Sequence, residues 1–212
     1  MKSLDSDEWI KEHSSIGAEK LHALGCVTVW WNSCEIHLFN LFAAVLGLYS
    51  IPNRPTAWTL AHDLGDVALA TRIKTLPPKF FEGWPIEVIE NALAVYDVCR
   101  QNRNQLTHFM PLYEWYGEEH KVSLRRRSKK PGSLELSPFA DDIEDLRRVA
   151  IEIHELSRNL TGLWDQLATI QSRGVLHPQP PWLQKLPLPE LLWKSAPPTR
   201  TKPPRPRRPS RA

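Results

Sequence analysis

Hydrophobic side chains recur at helical spacing from about Ile16 to Leu48. They form two adjacent rows, one with members seven residues apart and one interleaved with it: Leu24, Trp31, Leu38 and Val45, then Val27, Cys34 and Leu41. This spacing places all of them on one face of a helix. We therefore predict one long helix that packs along its whole length.

Prolines divide the pattern that follows. Pro52 and Pro55 precede a weaker helical pattern over about 56–76, which ends at Pro77 and Pro78. We predict a second helix there.

A third helical pattern begins at Pro85, because proline is tolerated in a first helical turn. It continues to about Met110, with Ile89, Tyr96 and Arg103 at intervals of seven. The third predicted helix thus carries an arginine on its apolar row.

The chain after Pro111 changes character. Short aromatic and β-branched runs with turn-forming residues between them predict a β insertion at about 112–137. Asp141 and Glu144 then resemble a capping box before the clearest apolar period in the chain, which runs to about 173. We predict a mainly α protein: an up-and-down four-helix bundle with a small β-meander between its third and fourth helices.

Composition divides the chain into a body and two appendages. Residues 1–15 are a polar extension, 16–173 form the helical domain, and 174–212 are a proline- and arginine-rich tail that we expect to be largely disordered from 196. The net charge of +3 reflects this basic tail, so it gives no argument that the body binds nucleic acid.

The sequence gives little support for a metal-binding, secreted or membrane-spanning protein. The three cysteines have neither disulfide nor zinc-ligand spacing, and we expect no metal or cofactor. The N-terminus lacks the pattern of a signal peptide, and the apolar tract 38–49 is too short to span a bilayer. We expect a cytoplasmic protein without a membrane partner.

Arg103 lies where an apolar residue is expected. Burying an unpaired guanidinium costs several kcal/mol, so Arg103 needs an acidic partner or an anionic ligand. Glu35, beside the apolar row of the first helix, is the best candidate within the chain. An Arg103–Glu35 pair would leave further donors for a phosphate.

Two further polar residues follow Arg103. Asn104 and His108 are four residues apart and share a helix face, whereas Arg103 and His108 point about 140° apart on an ideal helix. Two copies of the motif facing each other would converge more easily, which favours a homodimer.

The segment RNQLTH, Arg103 to His108, resembles the R-x(4 to 6)-H motif of the HEPN superfamily. The first-helix sequence WWNSCEIHLFNLFAAVLG, 30–47, is similar to the W-x-x-x-E-x-x-L-F region of uncharacterised bacterial HEPN-like proteins. The likeness covers about 16–173. Phe109 departs from it, because many family members have a small residue there.

The resemblance implies a metal-independent endoribonuclease. The histidine would assist proton transfer at the ribose 2′-hydroxyl, and the arginine would stabilise the charge that develops on the phosphorane. Both roles suit these residue types. The basic run Arg125, Arg126, Arg127, Lys129 and Lys130 could guide an RNA backbone, although a solvated hairpin turn is the more usual explanation of such a run.

Three functions remain open. The first is an RNA-cleaving enzyme, acting as a toxin or defence component with an antitoxin or other protein partner. The second is a non-catalytic HEPN-like dimer that binds a nucleotide or a protein. The third is a helical scaffold in which Arg103 and His108 are only structural, Arg103 paired with Glu35 and His108 capping its helix.

Overall fold

The computed structural model describes residues 16–50, 52–76, 81–107, 110–116, 119–127, 136–139 and 143–192. These residues form a mainly helical protein. Its elements, in chain order, are α1 (Ala18–Val45), α2 (Arg54–Ala61), α3 (Asp66–Thr75), α4 (Trp84–Thr107), β1 (Met110–Tyr116), β2 (Glu119–Arg127), β3 (Leu136–Phe139) and α5 (Ile143–Arg173).

The two longest helices, α1 and α5, lie side by side and point in the same direction. Near their starts, Arg147 of α5 forms an ion pair with Glu19 of α1, with 3.4 Å between Nη2 and Oε2. Near their ends, the side-chain amide of Gln171 donates a hydrogen bond to the backbone carbonyl of Val45. The two helices are therefore parallel.

The helix α4 runs opposite to α5. Its first residue, Trp84, donates from Nε1 to the carbonyl of His177, just beyond the end of α5. The predicted up-and-down order is wrong, because four alternating helices would make the first and last antiparallel. The predicted second helix, 56–76, is instead two short helices, α2 and α3, because the chain turns at 62–65. With only α4 as a long helix between them, α1 and α5 share one direction.

The predicted apolar rows form the core. Trp31 and Leu38 of α1 and Tyr96 of α4 are almost completely buried. The row on α5 is buried along its length: Leu146, Val149, Ile153, Leu156, Leu160, Leu163, Leu167 and Ile170. Each buried side chain of this size stabilises the fold by about 1.5–3 kcal/mol. The helical periods thus identify the core correctly.

Three antiparallel strands lie between α4 and α5, in the order β1-β2-β3. Met110 at the start of β1 is paired with Arg125 in β2. The chain that follows α4 is therefore next to the second half of β2.

Residues 175–192, which we call the strap, form no helix or strand and lie along α4 and α5. Leu183 of the strap is fully buried in the core. The Asn91 side chain of α4 donates to the Leu186 carbonyl and accepts from the Leu186 amide. The first part of the predicted tail, as far as residue 192, thus packs on the helices. Residues 1–15 and 193–212 lie outside the described residues.

Candidate functional site

Arg103 lies in the last turns of α4 and is half-buried. Its guanidinium carbon is 5.8 Å from the centroid of the Trp31 ring, on α1. Its Nη1 donates to Asn104 Oδ1 over 3.0 Å, while its Nε is buried and has no hydrogen-bond partner. Arg103 is therefore held in place by an aromatic ring and a neutral amide.

The predicted pair between Arg103 and Glu35 is wrong. Glu35 accepts a hydrogen bond of 2.7 Å from the indole Nε1 of Trp31, one turn earlier on the same helix. Within the part of the chain that the structure describes, no ion pair of 4.0 Å or less includes Arg103. The indole of Trp31 satisfies Glu35, so the carboxylate and the guanidinium contact different parts of one side chain.

A side chain near Arg103 caps a backbone carbonyl in the last turn of α4. The hydroxyl of Thr107 donates to the Arg103 carbonyl over 3.1 Å, which satisfies one of the free carbonyls of the last turn. Asn104 is half-buried beside Arg103. His108 lies outside the described residues, so its predicted place on the face of Asn104 stays a prediction.

The basic run after the motif is close to the end of α4 through the strand register. Arg125 is paired with Met110, only three residues after Thr107. Arg126 and Arg127 continue β2 and pair with β3. Paired residues in antiparallel strands have Cα atoms about 4.5–5.5 Å apart. Lys129 and Lys130 lie outside the described residues.

The electrostatics around Arg103 suit an anion. A guanidinium that is half-buried without a carboxylate retains donors for an oxyanion. Phosphate is the anion whose oxygens a planar guanidinium matches best. The arrangement can therefore bind a phosphate group.

The buried cysteines do not offer a nucleophile. Burial raises the pKa of the Cys99 thiol to about 12, and burial with the nearby Cys99 and Glu35 raises the pKa of Cys34 further. A thiol of such high pKa stays protonated and unreactive. Among the described residues, no three His, Cys, Asp or Glu side chains are grouped so that they could hold a metal ion.

Two residues near the site have roles that the sequence did not reveal. Trp31 was predicted only as a packing residue, yet its ring and its Nε1 contact Arg103 and Glu35. The fully buried Asn102 donates to the Glu190 carbonyl and accepts from the Leu192 amide, so it fixes the end of the strap. An asparagine within a helix, next to a basic residue, was the only available signal.

Comparison with known proteins gives no relative. No protein-family description matches the chain, and no curated protein or solved structure is similar to it. None of the helices in the described ranges is long and apolar enough to cross a membrane.

Proposed function

We propose that the protein is a metal-independent endoribonuclease of HEPN type that acts in the cytoplasm. The observation that supports this proposal is the Arg103 guanidinium, half-buried on Trp31 and without an acidic partner among the residues that the structure describes. An RNA phosphate would supply the missing negative charge. The sequence motif from Arg103 to His108 connects this cation with a residue that transfers protons.

The reaction needs one proton acceptor, one proton donor and a stabilised phosphorane. The ribose 2′-oxygen attacks phosphorus and gives its proton to His108, acting as general base. The bond from phosphorus to the 5′-oxygen breaks, and the 5′-oxygen takes a proton from a general acid. The products are a 2′,3′-cyclic phosphate and a 5′-hydroxyl. Arg103 stabilises the added negative charge, with Asn104 holding its Nη1.

The basic run on β2 supports an RNA substrate. The backbone of Arg125 lies opposite Met110, so the run starts close to the motif. Phosphate contacts from such residues provide affinity that does not depend on base sequence. We assign Arg125, Arg126 and Arg127 to binding the RNA backbone, with Lys129 and Lys130 continuing the run.

We further propose that the active form is a homodimer. Val29 and Ile36 of α1 are 64% and 58% exposed and lie seven residues apart, on one outward face. An apolar face on a long helix suits a self-complementary contact about a two-fold axis. A toxin or defence role, with an antitoxin as partner, is the biological setting we propose.

The alternative is a non-catalytic dimer that binds a nucleotide or a protein through Arg103. A cleavage and binding assay with Arg103→Ala and Arg103→Lys separates the two functions. An enzyme loses cleavage in both variants, because lysine cannot bind a phosphate bidentately. A binding module shows no cleavage by wild-type protein and loses nucleotide binding in Arg103→Ala. Arg100→Ala, one turn earlier on α4, is the matched control and should behave as wild type.

A further inference from the structure

A cavity of about 240 Å³ lies where α1, α2, α3 and α4 meet. Its walls are mostly apolar and aromatic, and Phe39 and Trp58 meet there edge to face with ring centroids 5.2 Å apart. This volume is slightly below the range of about 300–1,000 Å³ that is usual for drug-sized ligands. It suits a ligand with one ring and a short side arm.

A buried hydroxyl without a partner belongs to this cavity. Tyr96, 1% exposed, lines the cavity, and its hydroxyl has no hydrogen-bond partner. Burial, then the nearby Asp66 and Glu35 carboxylates, raise the pKa of Tyr96, so the hydroxyl is neutral. Burying a polar group without a partner costs free energy that a ligand could recover.

The two carboxylates that line the cavity have the same charge, and the imidazole of His62 is also part of its wall. Glu35 and Asp66 line it, and none of its lining residues is Lys or Arg. The nearby Arg100 is paired with Asp97, 2.7 Å from Nη2 to Oδ1. Carboxylates beside aromatic faces attract an organic cation and repel phosphates and carboxylic acids.

We propose that this cavity binds a small primary ammonium compound with an aromatic or apolar body. The ammonium group donates to the Tyr96 hydroxyl and to the carboxylates of Glu35 and Asp66. The body of the ligand packs against Phe39 and Trp58. The inference does not rest on the proposed ribonuclease activity, although Glu35 also accepts a hydrogen bond from the Trp31 side chain that holds Arg103.

The test is calorimetric titration of the full-length protein with three probes of similar shape. These are 2-phenylethylammonium, the neutral 2-phenylethanol and the anionic 3-phenylpropanoate. We expect the ammonium to bind at least about tenfold more tightly than the alcohol, and the anion not to bind, because only the cation gains charge-assisted hydrogen bonds. Equal binding of ammonium and alcohol, tighter binding of the anion, or no binding of any probe overturns the proposal.

Two variants locate the binding. Tyr96→Phe removes only the unpartnered hydroxyl, so it should fold normally and weaken ammonium binding about fivefold. Glu35→Gln should weaken it about tenfold. Glu155→Gln, which changes an exposed carboxylate outside the cavity, is the matched control and should bind as wild type does. Wild-type affinity in Tyr96→Phe would place the probe elsewhere and contradict the proposal.

Discussion

The guanidinium of Arg103 lies over the ring of Trp31, 5.8 Å from its centroid. The same indole donates from its edge to Glu35. A cation over an aromatic face contributes about 0.5–2 kcal/mol, depending on how far it is desolvated. Trp31 therefore fixes the direction of Arg103 without neutralising it, which leaves the charge available for a ligand.

The first prediction concerns the stability that Arg103 provides. Arg103→Ala removes a ring contact and one hydrogen bond to Asn104, and strands no acidic partner among the described side chains. We expect it to lower the free energy of unfolding in urea by about 1 kcal/mol. If Arg103 belonged to a structural ion pair, its replacement would instead lower the free energy of unfolding by about 3–5 kcal/mol. A loss in that range would support the scaffold function. It would contradict the finding that Glu35 bonds to Trp31 and not to Arg103.

The second prediction concerns the strap. Asn102→Ala removes the side chain that contacts both the Glu190 carbonyl and the Leu192 amide. We expect the end of the strap to detach, with a loss of about 1–3 kcal/mol and faster cleavage by trypsin at Lys185. Gln101→Ala, the neighbouring change on α4, removes a hydrogen bond only to the exposed Asp97 and is the control. If trypsin cleaved both variants at Lys185 at the same rate, Asn102 would not be the residue that holds the strap.

The third prediction is a pH dependence from His37. Burial lowers the pKa of His37, whose Nδ1 accepts a hydrogen bond from Trp164 Nε1 over 3.3 Å. The unfolded chain thus binds this proton more readily. The stability from His37 is full above the unfolded pKa of about 6.5 and is lost as the pH falls through the lower folded value.

Urea unfolding at pH 7 and at pH 5 measures this effect. The free energy of unfolding should fall between the two in wild-type protein and fall less in His37→Gln. An unchanged pH dependence in His37→Gln would contradict the assignment.

The fourth prediction tests the homodimer. Ile36→Lys places a charge on the outward face of α1, where Ile36 is 58% exposed, so the fold should tolerate it. We expect a monomer by light scattering, with helix content unchanged. Ile151→Lys, on the exposed side of α5, is the matched control because Ile151 is also 58% exposed. If only Ile151→Lys dissociated the dimer, the interface would lie on α5 and the prediction for α1 would be wrong.

The sequence predicted the long helices and their buried faces, because apolar periods report directly on burial. It did not predict the break at 62–65, which leaves α1 and α5 parallel. The strap escaped prediction for another reason: asparagine side chains such as Asn91 bond to its backbone, and such contacts leave no periodic pattern.

The candidate site was predicted only in part. The anomaly of Arg103 on an apolar row was visible from its position. Its partner was not, because Glu35 could reach either the guanidinium or the indole of Trp31, and spacing along α1 does not distinguish them. The geometry around Arg103 decides this point.

Cleavage of a mixed RNA pool in EDTA, by purified wild-type protein and by His108→Ala, tests the central claim most directly. Mapping the product ends identifies the chemistry. We predict cleavage by the wild type alone, leaving 2′,3′-cyclic phosphates and 5′-hydroxyls. Intact RNA after incubation with folded wild-type dimer, or equal cleavage by both proteins, would contradict the proposed ribonuclease.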